Sequence, residues 1–246
     1  ANLAVALAQG DEKNGLSPKK VALIDVDFYG PSIPTLMGGG QIKTNHEEKF
    51  IPALKHGVKY ISIAFFLKNP DDPVVWRGPM FGKAITQLFD DVSWGEVDIC
   101  VVDMPPGTGD AQLSLAQQVK LDGAVVVTTP QEVALADVRR AINMFRKVNV
   151  PILGLVENMA GFFTPAGERI DIFGKGGGES LATHYDIELL GEFPIDIKVR
   201  EGGDSGAPIA LDRNNSIGSK FYLLAAKVWQ AVERAKQDTP VLQVVN

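Results

Sequence analysis

The sequence predicts an α/β protein with a doubly wound, mostly parallel sheet and helices on both of its faces. Apolar runs of strand length alternate along the chain with amphipathic stretches, and two of these runs end in aspartates followed by glycine and proline. Such alternation is typical of βαβ units, which place their strands in one parallel sheet. We therefore expect residues 1–246 to form one domain.

The predicted strands are nearly unbroken apolar runs, and the predicted helices carry apolar residues at helical spacing. We expect strands at 21–25, 60–66, 98–103, 124–129, 152–157 and 188–193. We expect helices at 82–89, 111–119, 134–148, 179–184 and 221–236. No internal repeat or linker divides this series.

The first eight residues, ANLAVALA, are typical of a helix interior that lacks an N-cap. A nucleotide-binding fold places a strand and a glycine-rich phosphate loop before such a helix. We therefore expect an upstream segment, before Ala1, that contains the phosphate loop and its lysine.

The segment VVDMPPGTGD, residues 101–110, is the most informative in the chain. An apolar strand delivers Asp103 to its carboxyl end, where open α/β sheets bind their ligands and where a carboxylate can hold Mg²⁺ through water. Pro105 and Pro106 end the strand, and Gly107 lets the backbone approach a phosphate. An ordinary strand-to-helix turn is the alternative interpretation.

A second apolar run ends in Asp25 and Asp27 and is followed by Gly30-Pro31-Ser32. Spacing by two predicts that both side chains lie on one face of the strand end. For phosphoryl transfer, Asp27 would orient the attacking water and Asp25 would support the metal shell. A solvated strand end remains the alternative for Asp25.

Composition limits the possible functions. The net charge of −6 and the pI of about 5.1 disfavour general binding of nucleic acid or of an anionic membrane. We expect a cytoplasmic protein, because no secretory signal or run of about 20 apolar residues is visible. Cys100 is the single cysteine and is predicted to fill a buried strand.

Six segments in order resemble one known family. They read LIDVDFYGPSIPTLMG, VVWRGPM, VVDMPPGTGDAQLSL, VVVTTPQEVALADVRRAINMF, GLVENMAGF and IDIFGKGGGE. Together they resemble the Mrp/ApbC group of iron-sulfur carrier ATPases, a branch of the deviant-Walker P-loop NTPases. The resemblance implies a P-loop NTPase domain that hydrolyses ATP with Mg²⁺, forms a homodimer around the nucleotide and passes iron-sulfur clusters to recipient or scaffold proteins.

The resemblance also implies roles for single residues. Asp27 falls in the first switch, Asp103 matches the Walker B aspartate, and Gly107 matches the second-switch glycine that senses the γ-phosphate. Asn158 matches the residue that hydrogen-bonds adenine, although an asparagine here can also simply start a turn. Pro194 and Asp196 fall where the purine loop passes.

The metal site departs from the family pattern. Relatives usually carry Cys-x-x-Cys after the VENM segment, whereas residues 161–168 read GFFTPAGE. A hydroxyl and a methyl cannot replace two thiolates, because iron-sulfur clusters depend on sulfur ligands. The sequence therefore identifies no cluster ligand, and either another binding mode or a loss of the usual cluster site would explain this.

Two other functional classes remain open. A partition or cell-division type ATPase switch would be expected to show a basic face or an amphipathic membrane helix. A nucleotide-binding scaffold would bind nucleotide without turnover. The glycine run in FGKGGG is interpreted as a flexible loop, since it follows no clear strand and lacks a Lys-Ser/Thr ending.

Overall fold

The computed structural model describes residues 1–67 and 78–238. Within these ranges the helices are α1 (Asn2–Gln9), α2 (Ile33–Leu36), α3 (Gly78–Asp90), α4 (Asp110–Gln118), α5 (Glu132–Lys147), α6 (Gly177–Tyr185), α7 (Ile197–Asp204) and α8 (Ser216–Asp238). The strands are β1 (Val21–Asp25), β2 (Lys43–Thr44), β3 (Phe50–Ile51), β4 (Ala53–Lys55), β5 (Val58–Ser62), β6 (Ile99–Asp103), β7 (Ala124–Thr128), β8 (Ile152–Phe163), β9 (Arg169–Ile170) and β10 (Leu189–Ile195). The α/β fold class expected from the alternating pattern is confirmed.

Two compact units make up the chain. The first contains Ala1–Val119 and Ile195–Ala226, and the second contains Lys120–Pro194 and the residues from Lys227 onward. That residues 1–246 form one P-loop NTPase domain stays a prediction.

The sheet of the first unit has the order β4-β5-β1-β6. β1 is parallel to both β5 and β6, and β4 closes the edge antiparallel to β5. All five residues of β1 are buried, which explains why its sequence is apolar without alternation. Its core includes Ile24, Val26, Ile61, Ile85 and Leu115.

The sheet of the second unit has the order β10-β8-β7, and β9 pairs antiparallel with the end of β8. β7 and β8 are parallel, and their register places Thr128 opposite Glu157. The core around this sheet contains Val126, Leu155 and residues of α5 and α6. Parallel strands followed by helices thus occur in each unit, as the βαβ interpretation predicts.

Two local predictions were wrong. The strand expected at 60–66 ends at Ser62, because the Ser62 hydroxyl accepts a hydrogen bond from Ala64 N and starts a 3₁₀ turn over Ile63–Phe66. Cys100 is exposed, not buried in the core. It lies on β6, which is the last strand of its sheet and has no fully buried residue.

Two glycines of the FGKGGG run, Gly177 and Gly178, are the first residues of α6 and make close packing contacts, in contrast to the flexible loop expected from the sequence. Gly174 and Gly176, which precede α6, have no atom within 4 Å of a Cβ position. A Cβ atom at Gly177 would collide with the carbonyl oxygen of Pro130, and one at Gly178 would lie 2.9 Å from Glu157 Cβ. The start of α6 therefore approaches the ends of β7 and β8 more closely than any side chain would allow. Within the described residues, no helix has the length and apolar character needed to cross a membrane.

Candidate active site

The last residues of β1 and β6 lie side by side. Asp25 and Asp103 are register partners in this parallel pair, and Val26 N continues the pairing by donating to Asp103 O at 3.0 Å. The carboxyl ends of two neighbouring strands therefore carry one carboxylate each, as expected for a ligand-binding edge of an α/β sheet.

Asp25 is completely buried, and each of its oxygens accepts hydrogen bonds. Oδ1 accepts from Asp27 N at 3.1 Å, while Oδ2 accepts from the Ser62 hydroxyl at 2.8 Å and from Ile33 N at 3.2 Å. Burial raises the pKa of Asp25 to about 6, and these hydrogen bonds oppose that rise. The Asp25 carboxylate is thus buried and fixed by hydrogen bonds, and it is not exposed to solvent at the strand end.

Asp27 lies two residues past the end of β1, so the predicted alternation of strand side chains does not apply to it. Its Oδ1 accepts from Tyr29 N at 3.1 Å and from Gly30 N at 3.2 Å. The side chain is half-buried and holds its own loop in a turn. One carboxylate oxygen is engaged by this turn, and Tyr29 beside it is 78% exposed.

Asp103 is half-buried, and neighbouring charges at this edge of the sheet shift its pKa. Burial raises the pKa of Asp103, and the carboxylate of Asp27 raises it further. The backbone nitrogen of Ala1 lies close enough to interact with Asp103 and Asp25. The segment that leads into α1 therefore lies beside the carboxylates.

The loop after Asp103 is held by a residue that the sequence did not single out. Gln112 is buried in the first turn of α4, and its Nε2 donates to Pro105 O at 2.8 Å and to Pro106 O at 2.5 Å. Gly107 follows these prolines with φ +90°, a conformation that favours glycine. The sequence does not distinguish Gln112 from the other polar residues of α4, because its burial is visible only in the structure.

Asn158 lies in the second unit, where it is exposed within β8. Its Oδ1 accepts from Met159 N at 3.0 Å, and Met159 has a left-handed φ of +56°. This local bond agrees with the alternative interpretation, in which the asparagine side chain stabilises a turn of the neighbouring backbone. Its neighbour Glu157 is fully buried, accepts from Gly178 N through Oε2, and has no hydrogen-bond partner for Oε1 among the described residues.

Pro194 and Asp196 lie on either side of the boundary between the two units. Pro194 is a half-buried residue of β10. Asp196 caps α7, since its Oδ1 accepts from Lys198 N at 2.7 Å. The cap gives Asp196 a structural role, and nucleotide contact by either residue stays a prediction. Arg77, in the VVWRGPM segment, lies outside the described residues.

The segment that replaces Cys-x-x-Cys forms a closed hairpin turn between β8 and β9. Thr164 N donates to Glu168 O at 2.8 Å, Gly167 N donates to Thr164 O at 2.8 Å, and the Thr164 hydroxyl accepts from Glu168 N at 3.2 Å. No group of three or more His, Cys, Asp or Glu side chains is placed to hold a metal ion within the described ranges. The turn therefore does not fit an iron-sulfur cluster, which needs thiolates.

The carboxylates at the β1–β6 edge do fit Mg²⁺. This ion prefers oxygen ligands and usually combines one or two carboxylates with water and phosphate oxygens. Asp103 is half-buried and can take that place, whereas both oxygens of the buried Asp25 already accept hydrogen bonds. Asp25 is thus suited to support the site without binding the metal itself.

Comparison with known proteins identifies relatives over nearly the whole chain. The family model described as "ParA: NUBPL iron-transfer P-loop NTPase" matches residues 1–229. The chain is 48% identical over 239 residues to the "Iron-sulfur cluster carrier protein" of Aquifex aeolicus, covering 96% of this chain and 64% of that protein. It is 44% identical over 241 residues to the mouse "Iron-sulfur cluster transfer protein NUBPL", covering 96% and 72%. The chain thus spans less than two thirds of the Aquifex relative.

Solved structures agree in fold. An Archaeoglobus fulgidus nucleotide-binding protein in complex with ADP superposes with a TM-score of 0.73 at 38% identity, covering 90% of this chain and 84% of that one. The septum site-determining protein MinD of Pyrococcus horikoshii, complexed with Mg-ADP, gives a TM-score of 0.62 at 21% identity, covering 92% and 86%. The second likeness concerns the fold alone.

Proposed function

We propose that this chain, which belongs to the NUBPL iron-transfer P-loop NTPase family, binds ATP with Mg²⁺, hydrolyses it, and serves as a carrier or assembly ATPase for iron-sulfur clusters. One observation carries the proposal for the site. Asp25 and Asp103 end two neighbouring parallel strands, with Asp27 next to them. Carboxylates at the carboxyl ends of parallel strands suit a metal-bound phosphate chain.

Position and burial support the proposed roles. Asp27 orients the water that attacks the γ-phosphorus, and the bond to the bridging oxygen of ADP then breaks to release phosphate. Asp103 would hold Mg²⁺, and the bound ion would neutralise phosphate charge. Asp25 supports the loop that carries Asp27. Hydrolysis of this kind depends mainly on positioning and charge stabilisation.

Further residues have proposed roles in nucleotide binding. Gly107 lies in the Gln112-held loop and is proposed to respond to the γ-phosphate, because its left-handed backbone can approach a ligand closely. Asn158, Pro194 and Asp196 are proposed to contact the purine. We expect the protein to act in the cytoplasm as a homodimer, without binding nucleic acid or a membrane. Light scattering with ATP and with ADP tests the dimer.

Steady-state phosphate release tests the ATPase assignment. We expect the full-length protein to hydrolyse ATP in Mg²⁺, the Asp27→Ala variant to lose that activity, and the Asp122→Ala variant, altered at an exposed aspartate, to retain it. Equal and negligible rates of phosphate release in all three proteins would contradict the ATPase assignment and favour a nucleotide-binding scaffold without turnover.

The cluster is proposed as cargo delivered to recipient or scaffold proteins. The names of the relatives support this assignment, whereas the 164–168 turn offers no thiolate. Anaerobic reconstitution with iron and sulfide, followed by an absorption spectrum, tests it on the full-length protein and on Cys100→Ser. A stoichiometric cluster in both proteins is expected if the ligands lie elsewhere than Cys100. Absence of a cluster from both would remove the carrier role and leave an ATP-driven switch.

A further inference from the structure

We infer that Ser62 is a positioning residue for Asp27, acting through the buried carboxylate of Asp25. Ser62 ends β5, the neighbour of β1 in the parallel sheet, and it is the register partner of Asp25. Both residues are completely buried. The inference rests on the proposed ATP hydrolysis and names a residue that the sequence motifs do not contain.

The Ser62 hydroxyl is oriented by two opposite hydrogen bonds. It accepts from Ala64 N at 3.1 Å, and it donates to Asp25 Oδ2 at 2.8 Å. A serine hydroxyl has one proton to donate, so this proton is committed to Asp25. The first turn of the 3₁₀ segment that follows β5 thus fixes the direction of the donor.

Asp25 transfers this constraint to the loop that carries Asp27. Its Oδ1 accepts from Asp27 N, and its Oδ2 accepts from Ile33 N as well as from Ser62. The two backbone donors lie at the beginning and at the end of the loop over residues 27–33. A rotation of the Asp25 carboxylate therefore moves both ends of this loop.

The orientation of Asp27 depends on that loop. Its Oδ1 accepts from Tyr29 N and Gly30 N, so its carboxylate is fixed relative to the loop backbone and not to the sheet. The backbone N–H of Asp27 itself donates to Asp25 Oδ1. Ser62 consequently sets the angle at which Asp27 meets an attacking water, without touching nucleotide.

The test compares ATP turnover and ATP binding in Ser62→Ala, Ser62→Thr and Tyr60→Phe. Ser62→Ala removes the donor, and we expect kcat to fall about tenfold, because small misplacements of catalytic groups reduce turnover strongly. KM and the affinity for a non-hydrolysable ATP analogue are expected to stay within about twofold of wild type. Ser62→Thr keeps the hydroxyl and should restore most of the turnover.

Tyr60→Phe is the matched control. Tyr60 is a buried residue of the same strand, and its hydroxyl donates to Gly39 O and not to Asp25. We expect this variant to lose stability and to keep kcat.

Equal kcat in wild type and folded Ser62→Ala would overturn the inference, and so would a fall in kcat that Ser62→Thr does not restore. Absence of hydrolysis in the wild type would instead overturn the proposed function. If Ser62→Ala does not fold, Ser62→Thr and Ser62→Cys are compared instead. The inference predicts a lower kcat for Ser62→Cys than for Ser62→Thr, because a thiol is a weaker hydrogen-bond donor than a hydroxyl. Equal kcat in these two variants would overturn it.

Discussion

Asp25 and Asp103 occupy partner positions at the ends of β1 and β6, so that two strands finish in carboxylates at the same edge of one sheet. Burial raises the pKa of Asp25, and the Asp103 carboxylate helps to raise it further. The two groups nevertheless differ in access, since Asp25 is completely buried and Asp103 is half-buried. This difference separates the supporting carboxylate from the one that can reach a ligand.

Replacement of Asp103 should reveal its relation to the metal. We expect Asp103→Asn to weaken ATP binding about tenfold in Mg²⁺, because the ion loses a charged partner. In EDTA the same change should leave ATP affinity almost unaltered. Calorimetry under both conditions measures this, with Asp122→Asn as the control. Equal weakening with and without Mg²⁺ would contradict a metal-side role.

Replacement of Asp27 should separate turnover from binding. We expect Asp27→Asn to reduce kcat by about 100-fold or more, as for a group that orients or activates water. Affinity for ATP should stay within about threefold, since the turn bonds from Tyr29 and Gly30 can still be accepted by an amide oxygen. Single-turnover hydrolysis and equilibrium binding measure the two quantities. Weaker binding with unchanged turnover per bound ATP would make Asp27 a binding residue.

Loss of the Gln112 clamp should loosen the 105–109 loop. Gln112→Ala removes two hydrogen bonds from a buried amide to Pro105 and Pro106, and we expect the free energy of unfolding to fall by about 1–3 kcal/mol. Nucleotide affinity should fall as well. Urea denaturation and nucleotide titration measure these effects. Gln117→Ala, at an exposed glutamine of the same helix, should change neither quantity.

A side chain at Gly177 should be poorly tolerated. The added Cβ of Gly177→Ala would overlap the Pro130 carbonyl oxygen and lie 2.8 Å from Leu135 Cδ1. We expect a loss of about 1–3 kcal/mol in the free energy of unfolding, as for other overpacked sites. In the control Gly191→Ala the nearest atom is Phe193 Cε2 at 3.4 Å, and the loss should be smaller. Similar unfolding midpoints for the two variants would contradict the close approach of α6.

Glu157 should make stability depend on pH. Burial raises its pKa, although the hydrogen bond from Gly178 N acts in the opposite direction. A carboxyl group whose pKa is higher in the folded state stabilises that state below about pH 4.3, the value in the unfolded chain, and this contribution disappears as pH rises through the folded pKa. Unfolding free energies measured from pH 4 upward should therefore fall with pH more in wild type than in Glu157→Gln. Glu168→Gln, at an exposed site, should follow the wild type.

Sequence patterns anticipated the parts of this protein that depend on local chemistry. Buried parallel strands need unbroken apolar runs, so Val21–Asp25 and Ile99–Asp103 were recognisable, and so were the carboxylates at their ends. The mistakes have physical reasons. An apolar run does not show whether its strand lies at the edge of a sheet, and Cys100 is therefore exposed where a buried residue was expected.

The supporting residues were not recognisable, because their partners are distant in sequence or ordinary in type. Ser62 and Asp25 are 37 residues apart, and only the pairing of β5 with β1 brings them together. Gln112 is one polar residue among several in α4, and only its burial distinguishes it. The glycine run suggested flexibility, whereas at Gly177 and Gly178, the first residues of α6, the absence of a side chain allows close packing.

The attachment of two amides to one carboxylate also predicts how the 27–33 loop opens. Asp27 N and Ile33 N both donate to Asp25, so neither amide can exchange its hydrogen with solvent independently of a change at that carboxylate. Segments that open together exchange together. The two amides should therefore show matching protection factors in native-state hydrogen exchange, and the whole segment should open and close as a single cooperative unit.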